Sequence, residues 1–292
     1  MSRLLHRRLL LSLAGVGLLT AFVLALLPDG PWHPAVTWLR LSAGLDSYGA
    51  GRAGPHGPEV ACPGAAAITV LVIGQSNAAN YVDRPSDAPP GANVMLADAR
   101  CYPLSDPIPG ASKTGGSLWP AFAADLAGRT GRPVAIIGAA IGATHVEQWA
   151  SPFDLPAAGL DRRIRAAERV GHDVDLVIWI QGEADTGRGT TAAEYTERLR
   201  KVVARIDADT GGTPWIMTRT SRVGTSRRSE AVRAGQQAVI DASPRVFAGP
   251  DTDLFDRIPE DRPDGVHFGR ATADRIAGAL AEVAASALAG KP

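Results

Sequence analysis

The chain has 292 residues, 30 basic and 30 acidic side chains, a formal net charge of zero and 45% apolar residues. This balance excludes the basic footprint of a nucleic-acid binder and the charge-rich, apolar-poor composition of a disordered chain. Enough apolar material is present for a substantial core, in one large domain or two small ones.

At the amino terminus, Arg3, Arg7 and Arg8 precede an uncharged apolar run over 9–27. As a helix this run spans about 28 Å at ~1.5 Å per residue, close to the thickness of a bilayer core. Cleaved signal peptides have a shorter apolar region, of about 7 to 15 residues. The expectation is therefore an uncleaved signal anchor over 1–28, holding the protein at the cell membrane with the remainder outside. Val23, Leu24 and Ala25 form a passable cleavage signature and leave secretion as the alternative. Residues 29–64 are dense in glycine and proline and read as a tether. Cys62 and Cys101 are the only cysteines. In an exported chain they suggest one disulfide, with two unrelated thiols as the alternative. No histidine pair stands beside them, so no metal site is expected.

From residue 65 onward, strands and helices alternate. The run over 68–73 is apolar and rich in β-branched residues, the pattern of a strand buried on both faces. It stops at Gly74-Gln75-Ser76-Asn77, which places Ser76 at the carboxyl end of a strand, the edge where open α/β sheets bind ligands. Such a serine is placed to be a nucleophile, or simply to cap a helix. A strand over 93–97 and a helix over 118–130 follow, the helix closed by Gly131 and Pro133. A strand over 134–137 leads into GAAIGATHVEQW, then a helix over 157–170 and a strand over 174–180 that runs into QGEAD. An amphipathic helix over 191–209, a strand over 215–218, a helix over 229–242 and a short apolar stretch at 246–248 come next. DGVH, 264–267, precedes a last helix over 270–288. This order predicts one domain over 65–292 with a doubly wound parallel sheet of about five strands.

Ser76, Gly142 and Gln181 follow the first, third and fourth of these strands and so share one sheet edge. A serine hydroxyl needs a base within hydrogen-bond reach, and that base needs an orienting group. His267 is the natural base, with Asp264 three residues earlier to fix its tautomer. His6, His33 and His56 lie in the anchor and tether, and His172 in a polar turn, which leaves His145 as the rival.

GQSN, then IGAT with a tryptophan five residues on, then WIQGEAD, then DGVH, together resemble the SGNH (GDSL-like) hydrolase superfamily. Within it they resemble the branch of sialate O-acetylesterases and carbohydrate acetylesterases, over about 65–289. The resemblance implies a three-layer α/β/α sandwich, flavodoxin-like, and a serine esterase with no cofactor. It assigns Ser76, His267 and Asp264 to catalysis and the N–H groups of Ser76 and Gly142, with the Gln181 amide, to the oxyanion hole. The family's Gly-Gly is Gly142-Ala143 here, which leaves open which N–H donates. Asn77, His145 and Trp149 are candidates to line the substrate, Asn77 alternatively bracing loops with Glu183 and Asp185. Arg219, Arg222, Arg227 and Arg228 form either a solvated surface or a contact for an acidic sugar. The expected protein is an extracytoplasmic esterase that removes O-acetyl or other short acyl groups from a carbohydrate or glycan. An O-acyltransferase with the same triad and a non-catalytic carbohydrate-binding protein are the alternatives. The expected partners are that glycan and the membrane, with no nucleic acid.

Overall fold

Strand β1, Ile68–Gly74, is buried along its whole length. Ile68, Val70 and Val72 face one side of the sheet and Leu71 and Ile73 the other, as the two-residue period of a strand requires. The computed structural model describes residues 53–86, 93–151, 156, 159–224 and 228–290. Beyond β1 the chain forms β2 (Val94–Ala97), β3 (Arg100–Pro103), α1 (Trp119–Thr130), β4 (Val134–Gly138), α2 (Val146–Ala150) and α3 (Leu160–Glu168). It continues through β5 (Leu176–Ile180), α4 (Glu183–Arg188), α5 (Ala192–Thr210), β6 (Trp215–Arg219), α6 (Glu230–Ile240), β7 (Val246–Asp251) and α7 (Arg270–Ala289).

The sheet runs β3-β2-β4-β1-β5-β6-β7. All pairings are parallel except β2 with β3. On one face α1 and α7 supply Trp119, Phe122, Leu126, Ile276 and Leu280. On the other, α3, α5 and α6 supply Leu160, Ile164, Leu199, Val202 and Val232. The result is the expected three-layer α/β/α sandwich. Seven strands replace the expected five. β3 escaped notice because four residues with an exposed arginine and a proline carry no apolar period, and it is an antiparallel edge. β7 is interrupted by Gly249 and Pro250, which hide its last half.

The winding reverses at β1: β2 and β4 lie to one side, β5 to β7 to the other. A crevice outside the strand carboxyl ends forms at such a reversal. Helix boundaries follow local chemistry. Thr191 caps α5 in a reciprocal box with Glu194, and Ser229 caps α6 by accepting from Val232 N–H.

Residues 53–64, read as the end of a tether, lie along the domain. Ala53 N–H donates to Ala111 O and Val60 N–H to Cys101 O, each at 2.9 Å. Cys62 and Cys101 are bonded in the structure, with Cα atoms 5.2 Å apart, joining this segment to β3. The expected location at the cell membrane requires correction. No helix among the described residues is long and apolar enough to cross a membrane. Even α7, at 20 residues, carries Arg270, Asp274, Arg275 and Glu282. The apolar run over 9–27 lies outside the described residues, as does most of 29–64.

Candidate active site

The chain leaves β1 through a turn that only glycine can make. Gly74 sits at φ +132°, and a Cβ there would lie 2.0 Å from Ile180 O. Gln75 N–H donates to that same carbonyl at 2.9 Å, which pins the start of the next turn to the end of β5. Ser76, Asn77 and Ala78 then form one tight helical turn, all three buried. Among the described residues no hydrogen bond engages the Ser76 N–H or hydroxyl, so both are available to a ligand.

Opposite this turn, Gly265 allows the chain to fold Asp264 back on His267. His267 Nδ1 donates to Asp264 Oδ2 at 2.6 Å. Asp264 Oδ1 accepts the N–H groups of Val266 and His267 at 2.9 and 2.7 Å. Partial burial pushes the Asp264 carboxyl upward, but these bonds from His267 and Val266 outweigh it and hold the group at about 2. The carboxylate is thus ionised at neutral pH and fixes the imidazole with Nε2 as the nitrogen able to accept a proton.

Asn77, the neighbour of Ser76, reaches both sides of His267. Its Nδ2 donates to Val266 O at 3.2 Å, and its Oδ1 accepts from Phe268 N–H at 3.3 Å. One side chain therefore ties the β1 turn to the histidine loop across 191 residues of chain. Tyr81 completes the cluster. Its ring centroid lies 4.7 Å from that of His267, and its hydroxyl occupies the space where a Cβ on Gly142 would fall, 2.2 Å away. Lys113 Nζ sits 4.6 Å from the centre of the same ring. Asn77 and Tyr81 thus link the Ser76 turn, the Asp264–His267 loop and the Gly142 segment.

Other expectations are corrected. The Gly142 N–H already donates to Ser112 Oγ at 2.8 Å. Ala143, exposed and at φ +59°, has no such partner among the described residues. Gln181 is fully buried, and its Nε2 donates to Asp185 at 2.6 Å, Thr144 O at 2.9 Å and Gln75 at 3.2 Å. These three acceptors leave neither of its two hydrogens for a ligand. Asn77 is also buried and spent on the loops, so it does not line the crevice. Trp149 is wholly buried, edge-on to Trp179 with centroids 5.8 Å apart, and it too lines nothing. His145 is half-buried at the start of α2, its N–H bonded to Gln148, and no carboxylate orients its ring among the described residues. His172, read as part of a polar turn, is buried against Thr69. Arg222 and Arg228 pair with Asp256 and Glu230, and Arg219 lies 4.0 Å from Asp251; Arg227 is outside the described residues.

Tyr81, Ser112 and Lys113 were not singled out in the sequence. Lys113 offers one signal only in the structure: it holds φ +67° while its carbonyl accepts from Asn80, a left-handed residue locked in place.

Ala143 gives a direct test of backbone strain. A left-handed alanine costs about 1–2 kcal/mol, part of which glycine returns through its freer unfolded state. Ala143→Gly should therefore raise the melting temperature by about 1–3 °C. A melting temperature that falls would show that Ala143 is not strained.

The family model described as carbohydrate esterase, sialic acid-specific acetylesterase, matches residues 68–286. No protein of curated function matches the chain. Among solved structures, a protein of Arabidopsis thaliana is 16% identical with a TM-score of 0.61, over 76% of this chain and 98% of that one. NanS is 16% identical with a TM-score of 0.53, over 76% and 96%. A carbohydrate acetylesterase of Xanthomonas citri is 18% identical with a TM-score of 0.52, over 77% of this chain and 57% of that one. At these identities the likeness is one of fold. The family match is more particular: it runs from the first residue of β1 into the last turns of α7, and through it this chain belongs to the carbohydrate esterases of the sialic acid-specific acetylesterase family, a family of carboxylic-ester hydrolases.

Proposed function

We propose that the protein removes O-acetyl groups from an acidic carbohydrate through a Ser76–His267–Asp264 triad and an acyl-enzyme. The observation that carries this reading is the His267 Nδ1 bond to an ionised Asp264 beside a serine whose hydroxyl is uncommitted. Ser76 Oγ attacks the ester carbonyl carbon while His267 Nε2 takes the hydroxyl proton. The same nitrogen returns that proton to the sugar oxygen as the C–O bond breaks, leaving the acyl group on Ser76. Water then attacks the acyl-enzyme carbonyl while Nε2 takes its proton. Nε2 passes that proton to Ser76 Oγ as the bond from the acyl carbon to Oγ breaks, so that acetate leaves and the serine hydroxyl is restored. The free N–H groups of Ser76 and Ala143 are the donors for the tetrahedral oxyanion, since that of Gly142 is spent on Ser112. A binding-only protein has no use for an oriented imidazole–carboxylate pair beside a serine. The Cys62–Cys101 bond supports work in an oxidising compartment.

The family description names sialic acid, and the Xanthomonas protein is described as a carbohydrate acetylesterase. Lys113 supports an acidic sugar here. It is exposed, stacked on the ring that also contacts His267, and no ion pair engages it among the described residues. Lys113→Gln should lower kcat/KM on an O-acetylated sialic acid by about tenfold, the worth of ~1.4 kcal/mol. On 4-nitrophenyl acetate and a neutral acetylated sugar it should change little. Equal losses on all three substrates would remove Lys113 from recognition. A wild-type enzyme that cleaves only 4-nitrophenyl acetate would rule out the carbohydrate.

A further inference from the structure

The QGEAD segment places one carboxyl group where the esterase chemistry does not use it. Glu183, the first residue of α4, is fully buried. Its Oε1 accepts from Asn77 Nδ2 at 2.5 Å. Its Oε2 is buried with no hydrogen-bond partner among the described residues. Burial drives the carboxyl well above its usual range, against the pull of the Asn77 bond and the charge of Arg262. A group this costly to bury, with one of its two oxygens unsatisfied, calls for a compensating role.

Asn77 shows what that role is. Of the two Nδ2 hydrogens, one goes to Glu183 and the other to Val266 O, while Oδ1 takes the Phe268 N–H. Both amide hydrogens are committed, and the amide has one orientation. Turned over, it would set its oxygen against Glu183 Oε1 and Val266 O and its NH2 against the Phe268 N–H. The two residues it holds flank His267. Arg262 grips the same loop from beneath: Nη1 donates to Val266 O, and the guanidinium carbon lies 4.6 Å over the Phe268 ring. Because Asn77 is bonded through the backbone to Ser76, the orientation of this one amide relates the nucleophile to its base.

We infer that Glu183 is a positioning residue for His267, acting through Asn77: its carboxyl oxygen holds the amide that seats the histidine loop against the Ser76 turn. This rests on the esterase reading of the site. Glu183 touches no substrate and exchanges no proton with Ser76. What it supplies is an acceptor at a fixed point, from an element that joins neither β1 nor the histidine loop.

The test is steady-state kinetics on 4-nitrophenyl acetate, with fluorophosphonate labelling rates as a measure of Ser76 activation. Glu183→Ala should lower kcat by about 100-fold, the cost typical of a misplaced catalytic group, with KM within about twofold. The labelling rate should fall in parallel. Glu183→Gln keeps an oxygen for Asn77 and should retain kcat within about threefold. Asn77→Asp keeps the shape, removes both donors and sets a carboxyl against Glu183, so it should lose at least as much kcat as Glu183→Ala. If Glu183→Ala does not fold, Glu183→Gln and Asn77→Asp decide the matter. Near-normal kcat in Glu183→Ala or in Asn77→Asp would overturn the inference. So would a Glu183→Gln enzyme as damaged as Glu183→Ala, since the effect would then belong to the charge and not to the acceptor. A wild-type protein inert toward every acyl ester would overturn the esterase reading instead.

Discussion

Ser76→Ala should abolish ester hydrolysis and fluorophosphonate labelling, at a loss of about 10⁴-fold or more in kcat. The residue stands at the carboxyl end of β1, in the middle of the sheet, on a turn pinned to Ile180 by Gly74 and Gln75. That turn is made by backbone bonds, from Ala78 N–H to Gln75 O and from Ala79 N–H to Ser76 O, both at 2.9 Å. The hydroxyl takes no part in them. Its removal should therefore change stability by no more than about 0.5 kcal/mol, as for a side chain without structural partners. Full loss of activity with an unchanged melting curve is the expected pair of results. Labelling that persists in the variant, or that maps to Ser112 or another serine, would show that the nucleophile lies elsewhere.

His267→Ala should cost nearly as much, and combining it with Ser76→Ala should add almost nothing, because members of a triad act as a unit. Asp264→Asn should be intermediate, at about 10²- to 10⁴-fold, for a reason visible in the loop. Asp264 Oδ1 is committed to two backbone N–H groups. An asparagine that keeps its oxygen there must turn its NH2 toward His267 Nδ1. The imidazole then accepts at Nδ1 and carries its proton on Nε2, the tautomer that cannot take a proton from serine. The pH dependence follows from the direction of the Asp264 shift. Its folded value, about 2, lies below the ordinary carboxylate value, so its contribution to stability is complete above the unfolded value. That contribution is lost only as pH falls through the folded value. With a side chain 59% exposed the contribution is small. Any acid limb of kcat/KM above about pH 4 must therefore come from another group than Asp264. If His145→Ala cripples the enzyme while His267→Ala is mild, the base has been misassigned.

Much of this was legible along the chain. The run over 68–73 announced β1 because a strand covered on both faces must be apolar throughout, and nothing else satisfies that so compactly. Thr191 and Ser229 marked helix starts because capping is a matter of three or four residues. Asp264 and His267 lie together for the same reason: three residues and a glycine turn suffice to join them. The family, too, was readable from four short motifs, because three stand at strand ends that the sheet brings to one edge and the fourth, DGVH, lies in a loop that Asn77 ties back to that edge.

What the chain order did not carry was the direction of side chains across the sheet. The resemblance made Gln181 an oxyanion donor and Trp149 read as a candidate to line the substrate, yet both turn inward, toward Asp185 and Trp179. Asn77 and Glu183 meet over 106 residues, and Tyr81 meets His267 over a longer distance still, with no periodicity linking either pair. The edge strand β3 exists because β2 offers it a free row of hydrogen-bonding groups, not because its own four residues demand extension. Local sequence determined where strands end, where helices begin and which adjacent residues could pair, since these depend on bonds within a few residues. Tertiary structure alone decided which polar groups face the crevice and which are consumed behind it, because a buried donor must be satisfied by whatever acceptor the packing brings near.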